Sequence, residues 1–176
     1  AAKKVRTYSD ELAETNELIV KNVIDTIRNQ WKAKYFETFI AKLFDNIDNI
    51  KTIEAKDRGK GWDILIQVLD PLTGEILHDN VSVQCKNFTS NVKTNKPIKD
   101  LERCIRNNES NSKVVYLAIL GELGDDYRKR IEDLSIRTDC IIRIVDEVRI
   151  AELYMSHYLS FFQNFLQQHF YNHQFV

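Results

Sequence analysis

Apolar residues recur at helical spacing over the first fifty positions of the chain. In Ser9–Gln30 they fall three, four and seven residues apart, and in Tyr35–Ile47 they cover an arc of about 140° at 100° per residue. Both segments are predicted helices, with Ser9 or Asp10 as the N-cap of the first. Glu37 lies about 20° outside the apolar arc of the second helix, so we expect its carboxylate beside the buried face.

The hydrophobic pattern changes to that of strands after a turn-like stretch at residues 57–61. Residues 62–69 are rich in branched side chains and lead into a turn containing Pro and Gly, whereas residues 81–86 alternate strictly between apolar and polar. These two segments are predicted to form an antiparallel hairpin. A polar loop over residues 87–97 follows.

Beyond this loop, predicted helices and strands alternate. They are a helix at Ile98–Asn107, a strand at Lys113–Leu120, a helix at Asp125–Arg137, a strand at Cys140–Val145 and a last helix from Val148 onwards. A helix, a hairpin and then β-α-β units predict one α/β domain with a mixed sheet. The length of 176 residues also favours a single domain over residues 1–176.

Composition narrows the classes of function. With 25 Lys and Arg against 26 Asp and Glu, the net charge is −1, so any site for a polyanion must be local. The apolar stretches fall far short of the roughly 18–20 residues of a membrane-spanning helix. The cysteines Cys85, Cys104 and Cys140 contain no C-x-x-C pair, which favours reduced thiols in a cytoplasmic protein over disulfides or zinc.

Three polar residues of the predicted hairpin are the main candidates for chemistry. Gln84 and Lys86 are two positions apart in a strand and share one face, whereas Val83 and Cys85 point into the opposite apolar layer. Asp63 begins the partner strand. The hairpin is therefore expected to bring a carboxylate, an amide oxygen and an ammonium together.

Such a trio suits metal-assisted hydrolysis of a phosphodiester. Mg²⁺ prefers oxygen ligands and retains several waters, so Asp63 and the Gln84 oxygen would suffice if Glu37 supplies a second carboxylate directly or through water. Lys86 could orient or help to deprotonate the attacking water and offset charge on the phosphate. More ordinary roles also fit: Asp63 as an acceptor for a backbone N–H, Gln84 as a solvent-facing residue and Lys86 as an edge lysine.

The motif residues resemble a known family. The sequence G-K-G-W-D ending at Asp63 and the sequence V-Q-C-K ending at Lys86, after the F-E pair on a helix, are similar to the PD-(D/E)xK nuclease superfamily, specifically its Mrr-like restriction endonuclease branch. Two positions depart from the superfamily name, since Trp62 replaces the Pro and Gln84 replaces the Asp or Glu. The second departure leaves open a weakened or lost activity.

The resemblance covers about residues 35–153 and implies a restriction-endonuclease-like three-layer fold, with a central mixed sheet flanked by helices. Residues before and after this core would be helical extensions. It further implies that Asp63, Gln84 and Glu37 bind Mg²⁺, for which Mn²⁺ could substitute, and that Lys86 assists the attacking water.

Basic residues flank the expected site on both sides in the chain. Those expected to neutralise phosphates of DNA are Lys56, Arg58, Lys60, Lys93 and Lys96. No element that would read bases is identifiable. The expected function is therefore a metal-dependent DNA endonuclease of a restriction or antiviral defence system. Two alternatives remain: a degenerate nuclease fold that serves as a DNA-binding or assembly module, and a junction-resolving or repair nuclease.

The C-terminal region is rich in aromatic residues beyond what one helix face requires. This excess leaves open a homodimer contact or a junction with further domains of a longer chain. The pair His169 and His173 has the i, i+4 spacing of a metal clamp, but without a nearby acid it is expected to lie on a helix surface.

Overall fold

The computed structural model describes residues 8–32, 34–55, 61–88, 95–108 and 113–157. Its elements, in chain order, are α1 (Tyr8–Gln30), α2 (Lys34–Asp45), β1 (Ile50–Glu54), β2 (Ile64–Leu69), β3 (Ile76–Asn87), α3 (Lys96–Arg106), β4 (Val114–Leu120), α4 (Asp125–Thr138), β5 (Ile141–Val145) and a further helix, α5, over residues 147–157.

The five strands form one mixed sheet in the order β1-β2-β3-β4-β5. Strands β1, β2 and β3 pair antiparallel, and β4 and β5 continue the sheet in parallel with β3. The predicted hairpin and the mixed sheet are confirmed. In the hairpin Ile64 pairs with Val83, which sets Asp63 beside Gln84.

Helices cover both faces of the sheet. One apolar cluster joins α1, α2 and α5 to a sheet face that includes Ile64 and Val83, and a second joins α3 and α4 to the opposite face, through Val115 and Leu117. The predicted three-layer α/β arrangement, with a central mixed sheet flanked by helices, is thereby confirmed.

The apolar arc predicted for the second helix is buried as expected. The α2 residues that are at most 2% exposed are Phe36, Phe39, Ile40, Leu43 and Phe44. Burial of each such side chain contributes about 1.5–3 kcal/mol before entropy costs, so this arc fixes α2 against the sheet. Glu37 is half-buried, which matches its predicted position beside the arc.

Several boundaries differ from the sequence predictions. Strand β1 was not predicted, because its five residues alternate between half-buried and exposed and lack a strong apolar signal. Strand β3 begins at Ile76, five residues before the predicted start, and its first four residues are exposed. Helix α3 begins at Lys96 because Pro97 is tolerated in the first turn, where its missing N–H costs no hydrogen bond.

None of the helices in the described part of the chain has the length and apolar character needed to cross a membrane. The predicted loop over residues 87–97 falls largely outside the described residues, as do the aromatic C-terminal region, His169 and His173.

Candidate active site

Asp63 and Gln84 are in direct contact in the centre of the sheet. The Gln84 side-chain Nε2 donates a hydrogen bond to Asp63 Oδ2, and the Cys85 backbone N–H donates to the same oxygen at 2.6 Å. Asp63 is 7% exposed and Gln84 is 3% exposed, so Gln84 is not a solvent-facing strand residue. Asp63 accepts a hydrogen bond from a backbone N–H, which is the more ordinary role that the sequence also allowed.

The strand register explains this contact. The Asp63 N–H donates to the Val83 carbonyl at 2.9 Å, which extends the β2–β3 ladder by one residue beyond Ile64. Because Ile64 and Val83 point into the α1/α2 layer, the neighbouring Asp63 and Gln84 lie on the other face. The two donors offset part of the cost of burying the carboxylate and hold it in one orientation.

The amide oxygen of Gln84 faces a different environment. Its Oε1 is buried and has no hydrogen-bond partner among the described residues, while its Nε2 is engaged by Asp63. An unsatisfied buried carbonyl costs about 1–3 kcal/mol, so the site favours a further partner for this oxygen. A carboxylate and an amide oxygen are hard donors that suit a divalent cation such as Mg²⁺.

This donor set contains few charges. In the described part of the chain, no group of three or more His, Cys, Asp or Glu side chains is arranged to hold a metal ion. Asp63 and Gln84 would therefore form a site with few protein ligands. In sites of this kind Mg²⁺ keeps several waters and gains further oxygens from phosphate.

Lys86 extends from β3 toward helix α3. Its Nζ lies 2.7 Å from Asp100 Oδ2, and the two side chains are 17% and 13% exposed. Asp100 also accepts a longer contact, 3.5 Å, from Arg103 Nη2. The sequence predicted that the Lys86 ammonium would converge on Asp63 and Gln84, but its described ion pair is with Asp100.

Asp100 is a residue that sequence reasoning missed. It lies three positions after Pro97 and four before Cys104, both of which are buried, so it belongs to the inner face of α3. A carboxylate on an apolar helix face is a signal that could have indicated a buried cationic partner. That the partner is Lys86 follows only from the packing of α3 on β3.

The pKa of the Cys85 thiol depends on the charged side chains around the site. Burial raises the pKa of Cys85 well above its ordinary value, and the charges of Asp63 and Glu37 raise it further, whereas Lys86 lowers it. Asp63, Glu37 and Lys86 therefore all lie within electrostatic range of one buried side chain. Glu37 comes from α2, on the opposite face from α3.

Gly61, two residues before Asp63, packs closely on helix α3. Gly61 has a φ of 90°, and a Cβ at this position would lie 2.9 Å from Arg103 Cγ and 3.2 Å from the Cys104 backbone nitrogen. Only glycine fits this approach without displacing Arg103.

Burial raises the pKa of Cys104 to about 12, and the charge of Asp63 contributes to this increase.

Of the residues expected to bind DNA, Lys96 is exposed in the first turn of α3. The others, Lys56, Arg58, Lys60 and Lys93, lie outside the described residues.

Comparison with known proteins assigns the family. Residues 28–154 match the Mrr_cat family model, which is described as a restriction endonuclease. No curated protein and no solved structure matches the chain. The match begins within α1, ends within α5 and includes Glu37, Asp63, Gln84 and Lys86. Restriction endonucleases generally use divalent metal ions. The chain thus belongs to the Mrr-type restriction endonuclease family, within the PD-(D/E)xK nuclease superfamily.

Proposed function

We propose that this domain is a metal-dependent DNA endonuclease of restriction or antiviral defence type that hydrolyses phosphodiester bonds. The observation that supports the proposal best is the buried contact between Asp63 and Gln84, whose amide oxygen has no partner among the described residues. This oxygen and the carboxylate are the ligands that a small divalent cation would use.

Asp63 and Gln84 would hold the cation, and Glu37 would add a carboxylate from α2, directly or through water. We propose that the cation is Mg²⁺, with Mn²⁺ as a substitute. When bound, the ion would supply Lewis-acid activation of the phosphate and of the water that attacks it. Asp63 is held in place by the Cys85 N–H and the Gln84 amide before any substrate arrives. Such preorganisation avoids a reorientation cost during the reaction.

Lys86 would act on the phosphate and the attacking water. Its ammonium carries a positive charge next to Gln84 on the same strand face, and Asp100 fixes its direction. A compact cation in this position would offset charge that develops on the phosphate and would orient the attacking water.

DNA is the proposed substrate. Lys56, Arg58, Lys60, Lys93 and Lys96 would neutralise phosphates on either side of the cleaved bond. We further propose that residues 1–176 act as one nuclease domain in the cytoplasm. Cleavage of both strands with one site per chain would favour a homodimer or additional domains.

A second candidate function is a DNA-binding or assembly module that keeps the fold without the chemistry. Two contacts favour it: the Lys86 ammonium is ion-paired with Asp100, and Asp63 Oδ2 already accepts two hydrogen bonds. An amide at position 84 also leaves the site with one negative charge fewer than an acid would supply.

Incubation of supercoiled plasmid with the purified protein separates the two functions. We expect nicking or linearisation with Mg²⁺ or Mn²⁺, and none with EDTA or in the variants Asp63→Ala and Lys86→Ala. Cleavage that survives either substitution contradicts the proposed site. Salt-sensitive retention of DNA without any cleavage by the wild type supports the module instead.

A further inference from the structure

Helix α3 presents a row of basic side chains on its outer face. Lys96, Lys99, Arg103 and Arg106 follow one another at spacings of three, four and three residues, and all four are exposed. At 1.5 Å per residue the row is about 15 Å long. We call these four residues the α3 basic row. The opposite face of the helix is buried through Ile98, Leu101 and Cys104.

The stability of the helix explains only half of this charge pattern, because Arg103 and Arg106 lie in the last turn, where positive charges are favoured. The first turns of an α-helix favour acidic side chains because the amino end carries a partial positive charge. Helix α2 has Glu37 in its first turn and α4 has Asp125 and Asp126, whereas α3 has lysine at positions 96 and 99. These lysines oppose the helix dipole, so their positive charge points to an external anion.

The acidic residues of α3 leave most of the row's charge uncompensated. Asp100 is ion-paired with Lys86, with a weaker contact to Arg103, and Glu102 is ion-paired with Arg137 of α4. Among the described residues, no ion pair involves Lys96, Lys99 or Arg106. The row is thus a local positive region on a chain whose net charge is −1.

Two contacts and one electrostatic interaction place the row beside the candidate active site. Asp100, next to Lys99 in the helix, is ion-paired with Lys86. Arg103 packs against Gly61, two residues before Asp63, and remains 53% exposed. The charge of Asp63 acts on Cys104. Arg103 therefore lies at the rim of the site, with its charge accessible to a ligand.

We propose that the α3 basic row binds the phosphate backbone of duplex DNA alongside the bond to be cleaved. This inference rests on the proposed nuclease function and names the protein surface that holds its substrate. Because each strand of DNA carries one phosphate for about every 3.4 Å of duplex axis, a row about 15 Å long can face several consecutive phosphates. Contacts of this kind position DNA and carry no sequence information.

The test measures binding of a labelled mixed-sequence duplex in EDTA across a salt series. In the variant Lys99→Ala/Arg103→Ala/Arg106→Ala, the slope of log affinity against log salt should become shallower by about 2.7, since each lost phosphate contact removes about 0.9. Affinity at about 100 mM salt should fall at least tenfold. An unchanged slope overturns the proposal.

Two control variants separate local contacts from general effects. Lys42→Ala/Lys113→Ala/Arg149→Ala removes the same charge from exposed positions on α2, just before β4 and on α5, respectively, and should keep the wild-type slope. Lys99→Arg/Arg103→Lys/Arg106→Lys retains the row's charge and should also keep the wild-type slope. If the first control makes the slope as shallow as the row variant does, the effect comes from net charge, and the proposal is overturned.

Binding without metal separates this inference from the proposed function. A wild type that binds duplex through the row but never cleaves contradicts the nuclease proposal alone. A wild type that cleaves, together with a row variant that binds with an unchanged slope, overturns this inference alone. A wild type that does not bind duplex at all overturns the inference directly.

Discussion

The Lys86 ammonium lies 2.7 Å from the Asp100 carboxylate, a contact that joins the end of β3 to helix α3. Lys86 belongs to the family motif, whereas Asp100 lies fourteen residues later in another element. The pair means that the direction of the motif lysine depends on how α3 packs on the sheet. Asp100 is therefore a positioning residue for the proposed chemistry.

Asp100→Asn should lower kcat about tenfold, equivalent to about 1.4 kcal/mol, with little change in KM. The amide keeps the shape of the side chain but no longer fixes the Lys86 ammonium. The free energy of unfolding should fall by about 1 kcal/mol, because the half-buried pair lies between surface and buried pairs in strength. Cleavage kinetics and urea unfolding measure the two effects.

Two controls accompany Asp100→Asn. Asp133→Asn removes one exposed negative charge from α4 and should change neither kcat nor the free energy of unfolding. Asp100→Glu should recover part of kcat because it restores the carboxylate. A wild-type kcat in Asp100→Asn would show that Lys86 does not depend on this partner.

Gln84→Glu should make the free energy of unfolding dependent on a divalent cation. The new carboxylate would face Asp63, where the wild type has an amide donor, so two like charges would share a buried site. In EDTA the free energy of unfolding should fall by about 1–2 kcal/mol. Mg²⁺ should restore it and should keep or raise cleavage, because the variant gains a charged ligand.

Gln67→Glu is the matched control for this substitution. Gln67 also donates through Nε2 to a carboxylate, that of Asp79 at 2.9 Å, but at the protein surface. Thermal unfolding of both variants with and without Mg²⁺ measures the difference. If Mg²⁺ stabilises Gln84→Glu no more than Gln67→Glu, the cation does not bind beside Asp63.

Gly61→Ala should destabilise the protein more than Gly74→Ala. Both glycines have positive φ, 90° and 72°, so each substitution costs about 1 kcal/mol of backbone strain. Only at Gly61 would the added Cβ overlap Arg103 and the backbone of Cys104, whereas nothing lies within 4 Å at Gly74. We expect a further loss of about 1–2 kcal/mol and weaker DNA binding for Gly61→Ala alone. Equal unfolding free energies of the two variants would contradict the close approach of Gly61 to α3.

Stability should decrease in alkaline solution because of buried thiols. Burial raises the pKa of Cys104 from 9.0 to about 12, so above pH 9 the unfolded chain loses a proton that the folded protein keeps. The stabilisation is complete below pH 9 and is lost as pH rises toward 12, by about 1.4 kcal/mol per unit for one such thiol. In Cys104→Ala the slope of unfolding free energy against pH should be smaller by about this amount. Urea unfolding between pH 9 and about 10 measures it, and an identical slope in the variant would contradict the burial of a protonated thiol.

Sequence patterns predicted the elements whose faces are strongly apolar. Helix α2 was predictable because Phe36, Phe39 and Ile40 lie on one arc, and the β2–β3 hairpin because its strands are rich in branched residues around a turn. Strand β1 was not, because a short, half-exposed edge strand has no distinctive period.

The candidate site was predictable only in part. Strand alternation and register indicated the neighbourhood of Asp63 and Gln84, since both depend on local pairing. The partner of Lys86 lies fourteen residues later and depends on how helix α3 packs on the sheet, which no local pattern encodes. The basic row on α3 has a regular spacing, but the helix was predicted to begin at Ile98, which left Lys96 outside it.

The most direct test of the account is single-turnover cleavage from a preformed complex of protein and duplex DNA. The complex is assembled without metal, complete binding is verified by fluorescence anisotropy, and Mg²⁺ is then added to the wild type and to Asp63→Ala. We predict phosphodiester cleavage by the wild type and none by Asp63→Ala, with equal DNA occupancy. Cleavage by Asp63→Ala at the wild-type rate, or no cleavage by a fully bound wild type, would contradict it.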